Sequence, residues 1–211
     1  MKVPRVNTVC FIGTGLIGGS LALAIRQSGF CQTITGAGLT ESTLQQAVEL
    51  GVIDRYSTSI AEAASDADII VVSVPLGAMR AVFEQIEQGK TDNTVVTDAG
   101  SAKQSVIRDA EAVFGIGFHG FVAGHPIAGT EKSGVGAAFA ELYQQRRVIL
   151  TPTQNSSTQA VGLVRSMWEA AGAEVELMDA AHHDLVLAGT SHLPHLLAFG
   201  LVDCLNNMED V

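Results

Sequence analysis

Basic residues are scarce in this chain. Twelve lysines and arginines face twenty-two aspartates and glutamates, for a formal charge of −10, which argues against nucleic acid or a membrane surface as partner. A small anionic substrate needs only a local basic pocket and stays open. Charge of either sign is thin: 16% of the 211 residues are charged and 47% hydrophobic, which suits a compact α/β protein and excludes a disordered one. Cysteine is limited to Cys10, Cys31 and Cys204. These are odd in number and scattered, without a CxxC pair, so the chain reads as cytoplasmic and reduced. Long apolar runs are also missing, the longest falling far below the ~20 residues that span a bilayer. Met1-Lys2-Val3-Pro4-Arg5 leads straight into a strand and leaves no room for a signal peptide.

What is present begins with residues 9–12, Val-Cys-Phe-Ile, a charge-free run that reads as a buried parallel strand. It ends in Gly13-x-Gly15-x-x-Gly18, and residues 16–26 continue with helical spacing. In such a fingerprint the first glycine permits the turn, the second lets a pyrophosphate approach the backbone, and the third packs the helix against the strand. The anion rests on free N–H groups at the helix N-terminus. Gly13, Thr14, Gly15, Leu16, Ile17 and Gly18 are therefore expected at a dinucleotide.

Strands are expected over residues 33–36, 68–74, 94–97, 121–123, 147–151 and 174–178. Helices are expected over 41–50, 60–64, 82–86, 104–114 and 157–171, the last carrying the core residue Trp168. The alternation predicts an α/β fold, a Rossmann-like, doubly wound, mostly parallel sheet over residues 1–178. Residues 179–211 read as the start of an all-α domain, truncated by the chain's end. Ligands bind at the strands' carboxyl ends, where Ser73, Val74, Pro75 and Asp98 should line the cofactor cleft. After the second strand, where a carboxylate commonly holds the ribose, stand Gly38, Leu39 and Thr40. NAD and NADP both stay open there, with a lean to NADP. Ser101 is placed to cap the helix that follows it. His125, between Gly124 and Pro126, is expected on a loop. From 180 to 199 the chain is apolar on nearly every face, as in a helix buried between domains or subunits. His192 and His195 share one face of it, yet no third ligand has matching spacing, so no metal is expected.

Together GTGLIGGS (13–20), DAGSAK (98–103), GHPIAGTEKSG (124–134) and HDLVLAGTSHLPHLLA (183–198) resemble the prephenate/arogenate dehydrogenase family of tyrosine biosynthesis, over essentially the whole chain. The resemblance implies NAD(P)-dependent oxidative decarboxylation of prephenate to 4-hydroxyphenylpyruvate, or of arogenate to tyrosine. It makes His125 the base that takes the ring hydroxyl's proton, and Ser101 the serine that orients it. Thr130, Glu131, Ser191, His192 and His195 would meet the substrate, with Glu131 gating the site. Lys103 holds either the serine loop or the anion, or is simply solvated. A homodimer through the C-terminal helices is implied. The family's substrate-binding arginine lies beyond the SHLPH helix, and the chain stops at Val211; most of the helical domain is expected to be absent. A non-catalytic nucleotide-binding fragment is the competing reading. A 3-hydroxyacid-type dehydrogenase would need a lysine on a central helix, and none follows Lys132.

Overall fold

The computed structural model describes residues 6–208. One sheet holds β1 (Val6–Ile12), β2 (Cys31–Ala37), β3 (Arg55–Ser57), β4 (Ile69–Val72), β5 (Val95–Asp98), β6 (Phe121–Pro126), β7 (Arg147–Thr151) and β8 (Glu174–Leu177). Their order is β3-β2-β1-β4-β5-β6-β7-β8, and every neighbouring pair is parallel except β6 with β7. The expected mostly parallel, doubly wound sheet is thus present. β3 was not expected; three residues, one of them the charged Arg55, carry too little periodicity to stand out.

Because both faces are covered, the central strands feed two cores alternately. Val9, Phe11, Ile69 and Val71 join a cluster with Leu21 and Ile25 of α1 (Leu16–Ser28) and Trp168. Cys10, Ile12, Ile70 and Val72 join the other, with Phe83 and Val106. α2 (Glu41–Glu49) and α3 (Ile60–Ser65) follow β2 and β3, α4 (Met79–Glu87) and α5 (Lys103–Phe114) flank β5, and α6 (Thr158–Ala170) joins β7 to β8. Trp168 is fully buried on α6, its ring 5.1 Å from Tyr143 at 76°.

The chain winds one way from β1 through β2 to β3 and the other way from β4 onward. The crevice between the carboxyl ends of β1 and β4 is the switch point at which such sheets hold nucleotides.

The C-terminal part is one continuous rod. α7 (Ala180–Leu187) passes through a π turn (Ala188–His192) into α8 (Leu193–Asn206). The wider turn, closed by Leu193 N–H donating to Ala188 C=O, lets Pro194 enter the first turn of α8 without interrupting the rod. Over Ala180–Asn206, 27 residues, the rod is long and apolar enough to cross a bilayer by length and composition alone. That corrects the expectation that no such run exists: scattered histidines and Asp184 divide it in the sequence but not in the helix. Its first turns are tied to the sheet domain, as described next. α8 buries no residue against the rest of the chain.

Candidate active site

The glycine loop is built for a close-lying anion. Gly13 adopts φ +93°, and a Cβ there would lie 2.2 Å from the Ser73 carbonyl oxygen; a Cβ at Gly18 would lie 2.2 Å from the Gly13 oxygen. Gly15 differs, since its missing Cβ faces open space. The α1 N-terminus that starts there has no side-chain cap and no acid in its first turn, which leaves its N–H groups to a ligand. Beside them Thr14 is buried and its hydroxyl has no partner. Such an orphan is costly unless a ligand completes it, and the loop therefore fits a dinucleotide pyrophosphate. A cavity of about 330 Å³ runs on from the loop, lined by Gly13, Thr14, Gly15, Gly38, Thr40, Val74 and Pro75 among others. Of the remaining expected cofactor residues, Leu16 is buried in the core, Ile17 packs partly against it, and Ser73 backs Gly13.

Asp98 ends β5 fully buried. It pairs with the equally buried Lys103 ammonium and accepts hydrogen bonds from Gly100 N–H at 2.7 Å and Gly124 N–H at 3.1 Å. Lys103 also donates to the Gly124 carbonyl at 2.6 Å. Burial depresses the ammonium's pKa, and the Asp98 carboxylate works against that depression. Lys103 is therefore no solvated surface lysine; with Asp98 it fixes the chain just before His125.

His125 is not on a loop but in β6, opposite Ile149 of β7. Pro126 is tolerated there for a directional reason. Ile127 N–H donates to Arg147 of β7, so by alternation the nitrogen of Pro126 faces the opposite side, toward β5. The β5–β6 register runs only to Thr97–Val122, and the proline deprives no ladder partner. The strand end then holds the imidazole more rigidly than a loop would.

A relay that the sequence did not suggest reaches His125 from α7. His125 Nδ1 lies 2.8 Å from His183 Nε2, and His183 Nδ1 lies 2.8 Å from Asp184 Oδ1. A carboxylate only accepts, so His183 carries a proton on Nδ1; in the neutral ring Nε2 then presents a lone pair. His125 must then donate from Nδ1, which leaves its Nε2 lone pair free. Asp184 also accepts from the backbone N–H groups of Lys103 at 2.7 Å and Gln104 at 2.9 Å. Burial would raise its carboxyl pKa, but these N–H donors and His183 hold it below the usual value.

Asp184 thereby takes the capping role expected of Ser101. The residue preceding α5 is Ala102, with no side-chain cap, while Ser101 is exposed and makes no hydrogen bond among the described residues. A carboxylate from another helix supplies a stronger acceptor than a local hydroxyl.

His125 is half-buried, and its pKa is lowered from 6.5 to about 3. Burial is the main cause, followed by the positive Lys103 and by His183 and His192, with Asp184 opposing. The imidazole is neutral and able to accept a proton.

His125 opens into a cavity of about 530 Å³, which Thr130, Glu141, Arg146, Ser191 and His195 also line. His195 Nδ1 donates to the Ser191 carbonyl at 2.8 Å. Of the expected substrate residues, His125, Thr130, Ser191 and His195 share this space. His192 stands close enough to influence His125, and Glu131 lines an adjoining cavity with Thr130 and Lys132. Among the described residues no group of side chains has metal-ligand geometry.

The sequence profile described as "Prephenate dehydrogenase, nucleotide-binding domain" matches residues 21–177. The chain belongs to the prephenate dehydrogenase family. It is 36% identical to the cyclohexadienyl dehydrogenase of Zymomonas mobilis, over 95% of this chain and 68% of that protein. With the prephenate dehydrogenase of Bacillus subtilis it shares 34% identity, over 97% of this chain and 55% of the relative. It thus spans about half to two thirds of these relatives' length. Among solved structures, the Aquifex aeolicus family member in complex with hydroxyphenyl propionate and NAD+ superposes with a TM-score of 0.90 at 40% identity, covering 96% of this chain and 70% of that one. The arogenate dehydrogenase of Synechocystis gives 0.83 at 28%, over 96% and 70% of the two chains.

The site residues missed in the sequence are His183, which contacts His125, Asp184, which contacts His183, and Arg146, which lines the His125 cavity. The doublet His182-His183 ahead of Asp184 was visible, but nothing in its spacing shows that one member faces a strand end 58 residues earlier.

Proposed function

We propose that this chain catalyses the oxidative decarboxylation of prephenate or arogenate with a nicotinamide dinucleotide. One observation carries the reading: the chain of contacts Asp184–His183–His125 ends at an imidazole that lines a cavity, in a family whose members bear that activity in their names. A bound nicotinamide supplies the hydride acceptor. The work of the chain is to take the proton. As the ring hydroxyl becomes a carbonyl, Nε2 of His125 accepts its proton, and the new charge is shared along Nδ1–H to His183, whose orientation Asp184 fixes. Positioned general bases contribute roughly 10²–10⁴-fold. Loss of carbon dioxide follows because it makes the ring aromatic. His195, its Nδ1 held by the Ser191 carbonyl, lines the same space. A matched assay of both acids with both cofactors tests the reading; no dinucleotide-dependent turnover of either acid would reject it.

NAD is the better-supported cofactor, since a relative was solved with NAD+; use of NADP remains part of the proposal because Gly38, and not a carboxylate, directly follows β2. Gly38 has room for a side chain, its nearest neighbour being Leu44 at 4.0 Å from a built Cβ. Gly38→Asp should hydrogen-bond a ribose 2′-hydroxyl and repel a 2′-phosphate. We expect the Kd ratio, by calorimetric titration, to shift toward NAD; an unchanged ratio would move the ribose site elsewhere.

The proposal includes a homodimer through the C-terminal helices. Leu196, Leu197, Phe199 and Leu201 are each more than 60% exposed on α8, a patch of the kind that marks interfaces. Light scattering over a dilution series should show concentration-dependent association. A monomer at every concentration would contradict it.

A further inference from the structure

Resting on that function, we propose that Arg146 is the residue that binds the substrate's side-chain carboxylate. Among the described residues it is the single arginine or lysine lining the His125 cavity, in a chain with few cations. Its neighbour Arg147 is engaged by Glu176 at 3.5 Å, whereas Arg146 has no acidic partner among the described residues.

The backbone aims it. Tyr143 is fully buried, donating its hydroxyl proton to the Ile17 carbonyl at 2.6 Å. Arg146 N–H closes a turn onto the Tyr143 carbonyl at 3.0 Å, and the Arg146 carbonyl accepts from Glu174 at 2.8 Å. Between them Gln145 sits at φ +58°, the sole non-glycine residue with positive φ among those described. Non-glycine residues avoid that region unless their surroundings enforce it; here Gln145 N–H is tied to the Gly172 carbonyl at 2.9 Å. A strained residue thus immediately precedes the cation.

The cavity suits the substrate. His125 meets it from the end of β6 and Arg146 from the turn that leads into β7, on either side of a space of about 530 Å³. From the reacting hydroxyl to the side-chain carboxylate these acids span about 8–9 Å by standard bond lengths. The side-chain carboxylate is also the sensible partner. The ring carboxylate departs, so holding it would favour the ground state, while the side-chain charge is the same before and after reaction. Glu141 lines the cavity too; it repels a second carboxylate and complements an ammonium group such as arogenate carries.

The test compares Arg146→Gln and Arg146→Lys with the unaltered chain. In Arg146→Gln, KM for the accepted acid should rise at least ~10-fold with kcat within ~3-fold, the signature of uniform binding. Arg146→Lys should recover part of the loss. The probe 4-hydroxyphenylpropionate, which has only the side-chain carboxylate, should lose affinity by a similar factor in calorimetry, with dinucleotide Kd unchanged. Calorimetry needs no turnover, so an inactive chain that binds the probe through Arg146 would fail the proposed function and not this inference. Unchanged probe affinity, or a fall in kcat without a rise in KM, would overturn it.

Discussion

His125→Asn is expected to lower kcat by at least ~10²-fold and to leave dinucleotide affinity near its original value, because the residue belongs to the proton path and not to the glycine loop. Stopped-flow or steady-state assays limited by chemistry, with calorimetric Kd values alongside, decide it; a variant keeping most of its kcat would remove His125 from the role. The pH profile adds a second readout. The neutral imidazole is the working form and is lost as pH falls through its pKa, which lies at about 3. The acid limb of kcat/KM should therefore lie well below the ordinary histidine value of about 6.5. An anionic substrate beside His125 favours the imidazolium, so the limb of kcat should lie at higher pH than that of kcat/KM. The reverse order would contradict the arrangement.

The second large effect concerns folding. Lys103→Met leaves Asp98 buried and ionised without its counter-charge, a change that typically costs about 3–5 kcal/mol. For a domain of this size that is a loss of roughly 10 °C in Tm. Asp98 keeps the Gly100 and Gly124 N–H groups, which places the expectation toward the lower figure. Asp98→Asn combined with Lys103→Met should recover part of the loss, since no lone charge remains. Thermal and urea unfolding of the two variants would show this; a cost below ~1 kcal/mol for Lys103→Met would mean that Asp98 is protonated or reached by water.

The two variants probe different layers of what the sequence reveals. The strand at 9–12, the glycines after it and the alternation of elements were readable because parallel strands buried on both faces write continuous apolar runs. Residues in one motif were equally plain: His125 stands out between Gly124 and Pro126. What stayed hidden depends on tertiary contact. Lys103 looks like any lysine at the start of a helix until Asp98, five residues earlier, is seen to be sealed in with it. Ser101 looked like a helix cap because local acceptors are the usual ones; Asp184 supplants it from 80 residues away. Arg146 could not be told from Arg147 before the turn at Gln145 separated their environments. The π turn was likewise invisible, although Pro194 hinted at some departure near it.

That rod has a mechanical consequence. Its 27 residues make a stiff arm about 40 Å long, clamped at one end where Asp184 grips the start of α5 and His183 grips His125. A tilt of about 5° at the clamp sweeps the far tip through roughly 3–4 Å on that length. Read backward, whatever seizes the apolar tip gains leverage over the imidazole pair, where displacements of a few tenths of an ångström break or align a 2.8 Å hydrogen bond. The exposed apolar face of α8 and the His125–His183 pair are therefore joined by a single piece of helix, which would carry a load from the proposed assembly to the proposed proton path.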